Sequence, residues 1–193
     1  MTSLTRRDLV LDTFVGAAVA GLVAGTSNAD SIVAPSDKLP TGDVHDFDFF
    51  VGNWQSTNHR LRKRWVGSND WETFPCTIRC ESRMGGVVNI DEGVFPTKGW
   101  SGMTIRTFNL KARQWSLYWI NSSTGELFPP VVGGFSGDVG EFWGDDQDEG
   151  RPIKVVFRWT KLSHNAARWE QSFSLDGKDW EKNWIIEHRR VEG

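Results

Sequence analysis

From Asn53 to the C-terminus the chain is a succession of runs in which apolar and polar residues alternate with a period of two, each cut off by turn-forming residues. Strands are expected over 54–66, 71–82, 87–95, 101–109, 114–122, 131–136, 140–145, 152–162, 167–175 and 180–191. The breaks include Gly67-Ser68-Asn69-Asp70, Gly85-Gly86, Gly137-Asp138 and Asp176-Gly177-Lys178, whose Gly and Asp residues supply the positive φ of short hairpin loops. No helical periodicity of useful length follows residue 52, which removes α/β folds. About ten consecutive strands must close or stack to hide their edges. Closure uses the least chain, so the expected fold is all-β, an antiparallel up-and-down β-barrel of about 8–10 strands, with a two-sheet sandwich as the alternative.

The faces are legible in several runs. Val155, Phe157 and Trp159 oppose Val156, Arg158 and Thr160; Ala167, Trp169, Gln171 and Phe173 oppose Arg168, Glu170 and Ser172. In the last run Trp180, Trp184, Ile186 and His188 oppose Glu181, Asn183 and Glu187. One face is aromatic with an occasional polar residue, the mixture expected of a barrel with a ligand cavity. Eleven Trp and twelve Phe stand against one Tyr, in a chain of 193 residues that has room for one domain. Rings in that number serve as core, as cross-strand pairs or as the lining of a pocket. A net charge of −3 offers no basic footprint, so nucleic acid is not an expected partner. Cys76 and Cys80, four residues apart on one strand, would have Cα atoms roughly 13 Å apart, too far for a disulfide. Buried thiols are expected.

Phe47-Asp48-Phe49-Phe50-Val51-Gly52-Asn53-Trp54 places an aromatic turn and a Gly-x-Trp at the start of the first strand. It resembles the opening of the lipocalin and wider calycin families, and in particular bacterial calycin-like domains of unknown function that begin F-D-F-x-x-G-x-W. The resemblance implies that Trp54 closes the bottom of the barrel and that Arg189 or Arg190, on the last strand, covers its indole by a cation–π contact. The chain departs from lipocalins in having more than eight strand segments and no second lipocalin motif.

Residues 1–29 read as a signal peptide: Thr5-Arg6-Arg7-Asp8-Leu9-Val10 resembles the twin-arginine motif of bacterial export signals. A Gly/Ala-rich apolar stretch follows, with small residues at Ser27 and Ala29 for cleavage. The resemblance implies a periplasmic or secreted protein. The stretch from Thr13 to Gly25 is short for a membrane span, so no stable span is expected in the mature form. Residues 30–45, with Pro35, Pro40 and Gly42, read as a linker, and 46–193 as the barrel domain.

Motifs for chemistry are sparse. Gly99-Trp100-Ser101-Gly102 and Gly134-Phe135-Ser136-Gly137 miss the G-x-S-x-G pattern and lie between strands, where a hydrolase elbow has no helix to start. His45, His59, His164 and His188 are scattered, and Asp145-Asp146-Gln147-Asp148-Glu149 departs from EF-hand spacing and reads as a solvated acidic hairpin, so no metal is expected. No cofactor is expected either. Haem stays open through the likeness to nitrobindin-like calycins, which use a His near the C-terminus, here His188. Polar residues interrupt three apolar strands: Asn89, Asp91 and Glu92; Arg106; and Tyr118 beside Trp119. Asp91 or Glu92 against Arg106 is the candidate catalytic pair, the carboxylate as general base and Arg106 as anion holder, with Glu170 and Glu187 as second choices. Candidate ligand-binding residues are Trp54, His59, Asn89, Tyr118, Trp119, Trp169, Trp184 and His188.

The leading expectation is an exported barrel that binds a small hydrophobic or aromatic molecule. The alternative is a cofactor-independent lyase, isomerase, cyclase or hydratase that uses a buried carboxylate and Arg106. A structural role at the cell envelope is the third reading.

Overall fold

The computed structural model describes residues 32–35 and 38–191. The signal expected over 1–29 lies outside the described residues. Ten strands follow one another: β1 (Gly52–Leu61), β2 (Trp71–Arg83), β3 (Val88–Phe95), β4 (Trp100–Asn109), β5 (Gln114–Asn121), β6 (Val131–Ser136), β7 (Val139–Asp148), β8 (Arg151–Ser163), β9 (Ala166–Ser174) and β10 (Glu181–Val191). Each pairs antiparallel with its sequence neighbours, and β10 returns to β1. The result is a closed up-and-down barrel with no free edge, consistent with a calycin or lipocalin-like barrel.

Parity follows from Trp54. On β1, Trp54, Ser56, Asn58 and Leu61 are buried while Gln55 and Thr57 are exposed. On β8 and β9 the faces grouped by alternation as aromatic turn inward, with Val155, Phe157, Trp159, Ala167, Trp169, Gln171 and Phe173 buried, and Val156, Glu170 and Ser172 opposite them are buried as well. The last strand departs from strict alternation. A bulge between Lys182 and Trp184 leaves Asn183 without a partner on β9. The extra residue lets Asn183 and Trp184 both bury, and Oδ1 of Asn183 accepts a 2.6 Å hydrogen bond from Gln171. Before the bulge, Trp180 packs at 5.4 Å on Trp143, which sits between the inward Phe142 and Gly144. It shares no face with Trp184.

Asp48–Phe50 forms a short 3₁₀ turn that plugs the bottom of the barrel. Phe47 meets Trp115, Phe135, Phe142 and Trp159 at centroid distances of 5.1–5.9 Å, and Phe50 stacks on Trp54 at 5.1 Å. Trp54 Nε1 donates to the Phe50 carbonyl at 2.8 Å. Arg190, not Arg189, covers Trp54, with its guanidinium carbon 4.3 Å from the ring. The stretch expected to be a linker is bonded to the barrel near this end: Gly42 N–H donates to Arg113 O at 2.8 Å, and Trp115 Nε1 donates to Asp43 O at 2.9 Å.

β1 ends at Leu61, five residues short of the expected 66. The chain leaves the sheet with Trp65 at φ +66°, and residues 62–66 cross the opposite end of the barrel as a strap. The acidic run lies at the β7–β8 hairpin with Asp145, Gln147 and Glu149 exposed, as expected, but Asp148 is buried and serves as the strap's anchor. Arg64 donates to both its oxygens, at 2.8 and 2.5 Å, and Trp65 Nε1 donates at 2.6 Å. The Trp65 N–H donates to Glu181 at 2.8 Å and its ring stacks on Phe173 at 6.3 Å.

Candidate functional site

Between the aromatic plug and the strap lies a partly enclosed cavity of about 60 Å³. Its walls are mostly rings, among them Phe95, Phe157, Trp119, Trp159, Trp169 and Trp184. Asp91, Thr104, Arg106 and His188 bring polar atoms to the same space. The rings come from strands far apart in sequence, set inward by parity and brought together by closure. Gly102 makes room for Trp119: a Cβ there would stand 2.0 Å from the indole, so no larger residue fits under that ring.

Arg106 and Asp91 form the ion pair expected of them, and both are buried. Arg106 Nη1 also donates to Asn89 Oδ1 at 2.7 Å, an oxygen that accepts from the Cys80 thiol at 3.3 Å. The guanidinium carbon lies 4.8 Å from the Phe47 ring and 5.5 Å from those of Phe50 and Trp159. Desolvation pushes the Asp91 carboxyl above its ordinary range, opposed by Arg106 and Thr104. Cys76 and Cys80 are free buried thiols, raised by burial to about 11 and about 12. They are inert at neutral pH.

His188 is buried at 4% exposure. Its Nδ1 lies 2.9 Å from Ser56 Oγ, and its ring stacks on Trp159 at 5.2 Å with an interplanar angle of 13°. Its Nε2 has no hydrogen-bond partner. Burial, with Arg106 nearby, lowers its pKa to about 3, so the imidazole is neutral at physiological pH. It is an acceptor or donor of hydrogen bonds there and a poor general base.

Trp119, Trp169, Trp184 and His188 lie on the cavity wall, as expected, and Tyr118 borders it from between the inward Leu117 and Trp119. Asn89 stands behind the wall and holds Arg106. Trp54 is beneath the plug, outside the cavity. Two candidates are on the wrong face. Glu92 is exposed, one residue out of parity with Asp91 and Gly93, and so forms no pair with Arg106. His59 alternates with the buried Asn58 and meets Thr73 at 3.1 Å in an exposed cross-strand pair. Of the second choices, Glu187 is exposed and Glu170 pairs with Lys182 at 2.6 Å away from the cavity. The sequence reading missed Trp159, Phe95 and Phe157 as cavity residues, although the alternation at 155–159 had already grouped Phe157 with Trp159. It also missed the strap, for which Gly67-Ser68-Asn69-Asp70 was the available signal.

Rim contacts complete the site. Arg60 pairs with Glu72 at 2.6 Å and lies 5.0 Å over Trp184, whose Nε1 donates to Asn58 at 2.9 Å. Lys98 reaches the other oxygen of Glu72 at 2.6 Å. No helix of the described residues is long and apolar enough to cross a membrane.

No protein-family model and no curated protein matches the chain. Among solved structures, a redesigned β-barrel is similar, at 12% identity over 79% of this chain and 100% of that one, with a TM-score of 0.44. So is a protein of unknown function from the DUF3598 family of Nostoc punctiforme, at 8% identity and a TM-score of 0.43; the match covers 79% of this chain and 50% of that one.

Proposed function

We propose that the protein is an exported barrel that binds one small, mainly apolar, ring-containing molecule in its interior. The observation that carries this reading is the cavity itself: rings that pack on one another, Phe157 on Trp169 and Trp169 on Trp184 among them, still leave a partly enclosed space between them. Rings that face a void forgo the dispersion contacts that a flat guest restores. The twin-arginine-like Thr5–Val10 stretch supports export. Calorimetric titration with uncharged aromatic probes tests binding, with saturable one-to-one heat expected and absence of heat counting against it. Cell fractionation of the full chain tests export.

A second reading, acid–base catalysis, is favoured by Asp91, a carboxylate on the cavity wall whose pKa burial raises. Against it stand the prior claim of Arg106 on that carboxylate and the low pKa of His188. Turnover of a bound compound that Asp91→Asn abolishes while binding persists would establish this reading over simple carriage.

A further inference from the structure

We propose that the outer face of β3, β4 and β5 is the contact surface of a symmetric dimer of this chain. The proposal stands apart from the cavity and needs no ligand. Parity turns one set of side chains on these strands out of the barrel, and the registers line them up across it. Ile90, Ile105 and Tyr118 form one row, and Met103 and Ile120 stand side by side in the next. Leu127, in the β5–β6 connection, extends that second row by its bridge to Ile120. Leu127 is 56% exposed, Val94 at the β3 end of the face is 45% exposed, and the rows between them are half-buried. Every outward position of β4 from Ser101 to Thr107, and of β5 from Gln114 to Ile120, is uncharged. The outside of β8, β9 and β10 carries Arg158, Arg168, Glu187 and Arg189 instead.

A second copy is the occupant that this face fits. Single apolar residues on a surface need no partner, but adjoining uncharged rows of Ile, Met and Tyr have the composition of an interface core. Tyr118, the chain's only tyrosine, lies within it. The face is also self-complementary. Leu127 stands exposed beyond β5, and on the β3–β4 side Val94, Pro96, Gly99, Ser101 and Ser122 surround a shallow hollow. A two-fold axis in the contact plane, running along the strands near β5, brings Leu127 of each copy toward the hollow of the other. Glu92, at the β2 side of the Met103 row, stands opposite Arg79, a pair of opposite signs suited to a polar rim. The face spans about three strand spacings of ~4.8 Å and about seven residues at ~3.3 Å each, so two copies bury on the order of 1,000 Å² there, the size of a weak but specific interface. A lipid surface is the poorer match, because it calls for Lys or Arg beside the apolar side chains and β4 and β5 turn none outward.

The test is sedimentation velocity of the purified protein over a range of concentrations, beside three variants. The expected result is a monomer–dimer equilibrium with a Kd on the order of 10 µM, as an interface of this size gives. Ile105→Glu and Leu127→Asp should each weaken the dimer about tenfold or more, since each puts a charge into an apolar contact. Glu187→Lys, on the far outer wall, should leave the dimer unchanged. Circular dichroism checks that each variant keeps its strands. Leu127 lies exposed in a connection, so Leu127→Asp decides the matter even where Ile105→Glu does not fold. A monomer at every concentration up to about ten times that Kd overturns the proposal, and so does a dimer that tolerates both substitutions. A monomer that floats with phosphatidylglycerol vesicles overturns it in favour of a lipid surface.

Discussion

Arg190 lies 4.3 Å over the indole of Trp54 while its Nη1 donates to the Val51 carbonyl at 2.6 Å and its Nη2 to that of Phe49. One side chain of the last strand thus ties together the first strand, the plug and the barrel seam. Gly52 is part of the same joint, with φ +122° and only 2.7 Å between a would-be Cβ and Nη1 of Arg190. Arg190→Ala is expected to cost about 2 kcal/mol, the sum of a cation–π contact and charged hydrogen bonds. Gly52→Ala should be destabilising too, through both strain and displacement of the guanidinium. Urea unfolding midpoints measure both.

The buried pair makes a larger claim. Removing one charge strands the other, so Arg106→Met should cost on the order of 3–5 kcal/mol. Asp91→Asn combined with Arg106→Met should recover part of that loss, because no uncompensated charge remains. A double-mutant cycle in chemical denaturation shows whether the two substitutions are non-additive in this sense.

Acid should weaken the fold through His188. Its folded pKa of about 3 lies below the ordinary 6.5, so the unfolded chain takes up the proton more readily. The contribution is fully present above pH 6.5 and is lost as pH falls toward 3, by about 1.4 kcal/mol for each pH unit within that window. Asp91, raised by burial, acts with the opposite sign, its contribution lost as pH rises. The difference between the unaltered protein and His188→Phe isolates the histidine. Unfolding free energies across this pH range should give the variant a distinctly shallower acid limb.

How far the site was legible in the sequence follows from parity. Alternation in Val155-Val156-Phe157-Arg158-Trp159 marks the aromatic face that lines the interior, although Val156 on the opposite face is buried too. Asp91 and Arg106 stood out as charges among apolar neighbours, and the β3–β4 hairpin sets them diagonally across adjacent strands. The choice between Asp91 and Glu92 was present in Gly93 and Phe95, which share the face of Asp91. His59 was excludable from Trp54, which sets even-numbered positions inward on β1 as far as Asn58. The strap and the Asn183 bulge were not legible in this way. Both depend on where pairing stops or slips, and period-two alternation does not record that.

Passage of ligand past the strap is a prediction, since the strap spans one end of the barrel and its residues do not line the cavity itself. Asp148 receives Arg64 and Trp65 together, and Trp65 covers Phe173. Asp148→Asn removes the charge that holds them, and Trp65→Ala removes the cover. Loss of about 1–3 kcal/mol of latch should speed ligand release roughly ten- to hundredfold. Stopped-flow displacement of a bound aromatic probe measures this, and an unchanged release rate would place the exit elsewhere.

The most direct test of a ligand-holding barrel is native mass spectrometry of the protein purified from its own host, beside Gly93→Leu. Gly93 lines the cavity, and a Cβ there meets nothing closer than 3.4 Å, so leucine enters the empty space without breaking the strand. The expected spectrum shows one discrete small-molecule mass on the unaltered protein, released on denaturation and missing from the folded Gly93→Leu variant. A bare polypeptide mass that stays bare after incubation with aromatic probes, or an adduct that Gly93→Leu retains in full, would contradict an interior binding site.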